Sequence, residues 1–246
     1  MTDFSVKPLL AFDTSTPTAR VALFSPSGGC LAAREKTAAR HSANLLGLID
    51  EILREAGIAV GELGAIACGA GPGSFTGLRV GLAVAKGLAL PAELPLLLVS
   101  SLDALACDLA ALAPDIPLLL PCLDAGKGQV YARLCDAVPG SVPRPQGDVD
   151  WVLSPEEICR VAAETAAGRP LIAGGTGVDR YLARIRGALG EKPVRASVAG
   201  PSAAAVAGLA RPRLVLGDSD DLETAVPRYG RPPDITRPKH APTKER

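Results

Sequence analysis

Four consecutive residues near the start, Asp13-Thr14-Ser15-Thr16, set a carboxylate beside three hydroxyls at the end of an apolar run. Such a group can ligate a hydrated metal ion and cradle phosphate oxygens. The same residue types also form ordinary turns by bonding their own backbone, and both readings stay open. A second segment, Gly69 to Gly81 (GAGPGSFTGLRVG), follows an apolar run and opens a helical pattern. There, exposed backbone N–H groups attract anions. It is neither GxGxxG nor GxxxxGK(S/T), so the mechanisms attached to those motifs do not transfer. Gly73, Gly77, Gly81 and Ala85 recur every four residues and make a small-residue stripe. Each helical glycine costs up to about 1 kcal/mol in propensity, which a closely packed neighbour or a phosphate must offset. A third segment, Gly174-Gly175-Thr176-Gly177, can border an adenosine pocket or simply make a tight turn. The candidate phosphate or nucleotide site is therefore Asp13, Thr14, Ser15, Gly73, Ser74, Gly174 and Gly175.

Other catalytic equipment is sparse. The chain of 246 residues has two histidines, His41 and His240, with no His-x-x-x-His and no Cys/His cluster. No GxSxG segment offers a nucleophilic serine. Six cysteines (Cys30, Cys68, Cys107, Cys122, Cys135, Cys159) are scattered without a CxxC pair, and read as buried free thiols in a reducing compartment. We expect no catalytic residue, no metal site and no cofactor of the chain's own. The 26 basic and 26 acidic residues cancel, which argues against a generic nucleic-acid binder.

The elements that must position these groups follow from periodicity. Leu9 to Asp13, Ala19 to Phe24 and Leu31 to Lys36 read as three antiparallel strands. A helix over Ser42 to Ala56 follows, with Ser42 as N-cap and Gly57 as C-cap. Strands at Ala65 to Cys68 and Leu96 to Val99 flank a helix over Phe75 to Leu90, and a third helix comes next. This order is that of a ribonuclease-H-like α/β lobe, with helices on a mixed sheet. The second half echoes it. Leu118 to Leu123 and Gln129 to Cys135 form a hairpin, and a helix starts at Pro155 behind a Ser154/Glu157 capping box. A strand over Leu171 to Ala173 and helices over Val178 to Leu189 and Pro201 to Ala210 complete it. The expected domains are an N-terminal lobe (1–114), a C-terminal lobe (115–226) and a flexible, Pro-rich basic tail (227–246). No stretch is apolar and long enough to span a bilayer, no secretory signal is visible, and a cytoplasmic location is expected.

The apolar residues Leu45, Leu46, Leu48, Ile49, Ile52 and Leu53 occupy more than one face of the first helix. A surface helix needs one apolar stripe, so the excess fits either a partner chain or a helix wedged within its own domain.

LLAFDTSTPTARVAL, the His-Ser-led helix, GAGPGSFTGLRVGLAVAKGLAL and LPLLLVSSLDALA together resemble the TsaB (YeaZ) family across the first hundred residues. Asp124 to Tyr131 resembles the family's DAR-x-GEVY hairpin, with Gly126 where the family has Arg. Pro227-x-Tyr229-x-Arg231 resembles its P-x-Y-x-R segment. The resemblance implies an actin/Hsp70/sugar-kinase-like fold of two ribonuclease-H-like lobes. It implies a non-catalytic subunit that pairs with the enzyme TsaD and, with the ATPase TsaE, supports threonylcarbamoyl transfer to the adenosine beside the tRNA anticodon. ATP or ADP would act in the complex, tRNA would be met through it, and the partner would hold the metal. TsaD ligates its metal through a His-x-x-x-His whose positions fall here on Ser101 and Leu105. The implied partner surface is a helical bundle using Leu45, Leu48, Ile49, Ile52, Gly73, Gly77, Arg79 and Gly81, able to form a homodimer when TsaD is absent. The alternatives are an ATP-dependent kinase or ATPase of the same superfamily, and a metallopeptidase.

Overall fold

The computed structural model describes residues 6–37, 45–147, 149–189 and 198–231. β1 (Leu9–Asp13), β2 (Thr18–Phe24) and β3 (Cys30–Thr37) form an antiparallel meander. β4 (Ala65–Gly71) and β5 (Leu96–Ser100) then add in parallel on the other side of β1, giving the order β3-β2-β1-β4-β5. β1 and β4 are buried along their whole length, as expected of central strands covered on both faces.

Side-chain alternation divides the core. Leu10, Phe12, Ile66 and Cys68 face α1 (Leu45–Ala56) and α2 (Phe75–Ala89). Leu9, Ala11, Ala65 and Ala67 face the other way, toward α3 (Ser101–Leu112) and a helix near the chain's end, α7 (Ala203–Val215). That second face is rich in alanine on both sides, Ala11, Ala22, Ala65 and Ala67 on the sheet and Ala203, Ala207 and Ala210 on the helix, which lets α7 lie close to the sheet. The helix assigned from sequence to the C-terminal lobe is thus part of the N-terminal one. It is also longer than expected and starts behind Ser202, whose hydroxyl accepts from the Ala205 amide.

The second sheet is built on β6 (Leu118–Gly126). β7 (Gln129–Ala132) and β8 (Cys135–Asp136) continue in one register along one side of it, a single antiparallel strand interrupted at Arg133-Leu134. The short strands β9 (Arg144–Pro145) and β10 (Trp151–Leu153), not anticipated from the sequence, pair with this broken strand. After α4 (Pro155–Ala166), β11 (Leu171–Gly174) joins the opposite side of β6 in parallel. The order repeats that of the first four strands of the first sheet, so the molecule is a doubled ribonuclease-H-like α/β fold of the actin/Hsp70/sugar-kinase type. The expected helix over Val178 to Leu189 is two, α5 (Thr176–Arg180) and α6 (Leu182–Leu189), because the backbone leaves helical geometry at Tyr181 (φ −117°, ψ 27°).

α3 is the wall between the sheets. Ala104 packs on the first sheet, while Leu102, Leu105, Ala106 and Leu109 pack on the second, so the helix is apolar on nearly every side. An ion pair reinforces the junction: Arg133 on the second sheet bonds Asp103 of α3 (2.8 Å) and Asp150 (2.6 Å).

Three expectations change. Cys30 is exposed and Cys107 half-buried; the other four thiols are buried. Residues 227–231 are not a free tail but pack across both lobes; 232–246 lie outside the described residues, as do Ser42, His41 and His240. The stripe on α1 is also accounted for within the chain: Leu45, Leu48, Ile49 and Ile52 are buried against the first sheet in its own core.

Candidate functional site

The turn after β1 is closed by its own hydrogen bonds. Asp13 Oδ1 accepts from the Ser15 amide (2.8 Å) and the Ser15 hydroxyl (2.6 Å), while Oδ2 accepts from the Ser101 hydroxyl (2.7 Å). Ser101, at the start of α3, in turn accepts from the Gly71 amide (3.2 Å). The Asp13 carboxyl is 1% exposed. Burial pushes its pKa up, against the opposing pull of the Ser15 and Ser101 hydroxyls, the Ser15 amide and the Arg20 charge. Thr14 is equally enclosed, its hydroxyl donating to the Gly77 carbonyl (2.8 Å).

The glycine stripe has its explanation here. A Cβ at Gly77 would lie inside the Thr14 carbonyl oxygen, one at Gly81 inside the Thr14 hydroxyl, and one at Gly73 inside the Ser15 carbonyl. The same is true of Gly69 and the Asp13 carboxylate. The stripe therefore admits the chain's own β1–β2 turn: Gly77 and Gly81 are buried against it, and Gly73 is half-buried at its edge. Of the eight residues expected at the interface, Arg79 is the one that projects outward.

In front of this turn lies a cleft of 640 Å³ between the lobes. The first lobe contributes Ser15, Thr16, Gly73, Ser74 and Phe75; the second contributes Asp124, Gly126, Tyr131 and Thr176; Tyr229 and Arg231 come from the returning segment. Of the seven residues proposed for a nucleotide, Ser15, Gly73 and Ser74 line it. Asp13 and Thr14 sit behind it, facing inward. Gly174 ends a buried strand, and Gly175 is pressed against the Cys122 carbonyl and Leu105, so neither reaches the cleft.

The serine and threonine hydroxyls at the cleft already have partners. Ser74 caps α2 by accepting from the Gly77 amide (3.2 Å), Thr16 donates to the Thr18 carbonyl (3.0 Å), and Thr176 accepts from the Asp124 amide (3.1 Å). Asp124 is bonded by Arg180 (2.7 Å) and by the Gly126 amide (3.0 Å). Burial raises the Tyr131 phenol above its ordinary range. Thr16, Phe75 and Thr176 lie in segments singled out from the sequence but were left off the candidate list, and Asp124, Tyr131, Tyr229 and Arg231 were noted without being brought to one cavity. The two short motifs carrying those four residues were the available signal.

Ser101 and Leu105, the two positions where the resemblance sets metal-binding histidines, are both wholly buried, the first bonded to Asp13 and the second packed with Leu102, Leu123 and Tyr131. Hydroxyl and isobutyl groups do not replace two imidazoles. Among the described residues no cluster of three His, Cys, Asp or Glu side chains can hold a metal ion. No helix among them is long and apolar enough to cross a membrane.

Residues 19–138 match a family model described as TsaD, tRNA N6-adenosine threonylcarbamoyltransferase. The tRNA threonylcarbamoyladenosine biosynthesis protein TsaB of Escherichia coli K12 is 39% identical over 123 residues, covering 50% of this chain and 52% of that protein. The chain thus spans about half the length of the curated relatives it matches. The solved structure of YeaZ from Pseudomonas aeruginosa is similar over 91% of this chain and 99% of that one, at 32% identity and a TM-score of 0.75. The activator of 2-hydroxyisocaproyl-CoA dehydratase from Clostridium difficile, solved with bound ADPNP, shares the fold alone, at 8% identity and a TM-score of 0.53 over 85% of this chain and 96% of that one.

Proposed function

This chain belongs to the TsaB (YeaZ) family, and on that premise we propose that it serves tRNA threonylcarbamoyladenosine biosynthesis as a non-catalytic subunit of a TsaD-type enzyme. The observation that carries the reading is the sealed turn: Asp13, the residue best suited to a metal or phosphate, spends both oxygens on Ser15 and Ser101 and has almost no solvent contact. The burial of Ser101 and Leu105 supports it from the other side of the same turn. In this reading a TsaE-type ATPase completes the assembly, ATP or ADP and the metal are handled by the partners, and tRNA is met through the complex in the cytoplasm.

The partner face is the outer side of the helices expected from the sequence, with different residues. Leu46 (53% exposed), Ala83, Gly87 and Leu90 (68% exposed) point away from the first sheet. This surface also serves self-association when the partner is absent. Leu46→Arg should abolish binding to a TsaD-type subunit in calorimetry while leaving the melting temperature unchanged. The buried neighbour Leu45 cannot make that test, because an arginine there would disrupt the core. Reconstitution with TsaD- and TsaE-type subunits should give threonylcarbamoylated tRNA only when this chain is added. Multiple ATP turnovers by the chain alone would overturn the non-catalytic reading.

The cleft favours a second reading, since its volume falls within the range of about 300–1,000 Å³ usual for small-ligand sites and Ser15, Ser74 and Thr176 border it. Equilibrium ATP binding by the isolated chain tests whether a nucleotide enters.

A further inference from the structure

Four consecutive residues near the end of the described chain change lobes. Arg228 donates its amide to the Ala70 carbonyl of β4 (2.8 Å). The Tyr229 hydroxyl accepts from Arg79 Nε (2.9 Å), and its ring stands 5.0 Å from that of Phe75, with the Arg79 guanidinium 3.9 Å above Phe75. All of these partners belong to the first lobe. The next two residues bond the second. Gly230 lies against the Tyr131 ring so closely that a Cβ would not fit. Arg231 donates through Nη2 to the Ala125 carbonyl (2.7 Å) and through Nη1 to Gln129 Oε1 (3.1 Å), bridging the two strands of the β6–β7 hairpin.

We propose that residues 228–231 are a strap that sets the separation of the two lobes across the cleft, and with it the dimensions of the cavity. A chain of four residues reaches at most about 14 Å, so anchors on both lobes hold their distance within a narrow range. α3 forms the wall joining the two sheets, and the strap ties them at the cleft. The anchors on the second lobe are a carbonyl and an amide oxygen, which do not titrate. Those two acceptors therefore keep their hold on Arg231 as carboxylates titrate, unlike an Arg–carboxylate pair.

The test is hydrogen exchange on the full chain, read by mass spectrometry, with small-angle scattering alongside. Tyr229→Ala removes contacts to the first lobe alone, yet it should speed exchange in residues 124–131 of the second lobe. Arg231→Ala should do the same. A roughly tenfold rise is expected for each, the scale of losing one charge-assisted hydrogen bond, together with a larger radius of gyration and unchanged protection in α7. The proposal fails if Tyr229→Ala affects only α2 and the strap, leaving 124–131 at the wild-type rate. Should either alanine variant fail to fold, Tyr229→Phe, which loses only the bond to Arg79, makes the same discrimination with a smaller rise.

Discussion

Asp13 shows how a carboxylate can be satisfied and still sit above its ordinary pKa. Its hydrogen bonds favour the charged form, but removal from water outweighs them. The folded state therefore holds the proton more tightly than the unfolded chain. As pH rises from the ordinary value of 3.8, the unfolded state ionises first and gains stability, so this residue's contribution to folding falls until its folded pKa is passed. Urea midpoints measured from pH 4 to 8 should consequently show Asp13→Asn gaining on the wild type as pH rises. Asp103 shifts in the same direction but is common to both proteins and cancels in the difference, while Asp108, raised mainly by burial and in small part by the Asp13 charge, is eased in the variant and adds to the difference with the same sign. A constant difference across the range would contradict this account. The glycines of α2 offer a sharper contrast. Gly77→Ala drives a methyl into the Thr14 carbonyl and should cost about 1–3 kcal/mol, the usual range for overpacking. Gly87 has open space where its Cβ would stand. Gly87→Ala should stabilise by up to about 1 kcal/mol through helix propensity, and chemical denaturation measures both.

Among the elements, those with local chemistry were legible. The Ser154/Glu157 box is present as read: the Ser154 hydroxyl accepts from the Glu157 amide (3.3 Å) and the Glu157 carboxylate accepts from the Ser154 amide (3.0 Å). Ser154→Ala should lower stability by about 0.5–2 kcal/mol in denaturant titration. The strands of the first sheet were equally plain, since β1 and β4 are short apolar runs bounded by turn residues. What failed were judgements about which surface an element meets. The broad apolar arc of α1 reads the same whether its cover is a partner or its own sheet, and here the sheet takes Leu48 and Leu53 as well as Leu45 and Ile52. The glycine stripe likewise announces a close approach without naming what approaches. Residues 227–231 looked like tail because composition measures apolar content, whereas their attachment runs through backbone carbonyls, an arginine fork and one aromatic pair. The cleft was half visible: the turn residues of the first lobe were found, but those brought from the second lobe depend on tertiary assembly.

For the whole molecule, the two sheets share α3, and the first sheet depends on a helix encoded a hundred residues later. Calorimetry should therefore record one unfolding transition rather than one per lobe. Val206→Asp, at a wholly buried position of α7, should strip hydrogen-exchange protection from β1 and β4 although it lies far from them in sequence. Independent melting of the lobes would contradict this coupling. The return of α7 also bears on synthesis. After β5 and α3 leave the ribosome, the face formed by Leu9, Ala11, Ala67 and Leu97 is covered only in part, by Ala104 of α3, until Ala203 to Val215 emerge. At translation rates of about 5–20 residues per second, that interval lasts roughly 5–20 s. For that time the nascent chain carries a greasy, half-finished layer that any neighbouring polypeptide can occupy, which makes it a natural client for a holding chaperone.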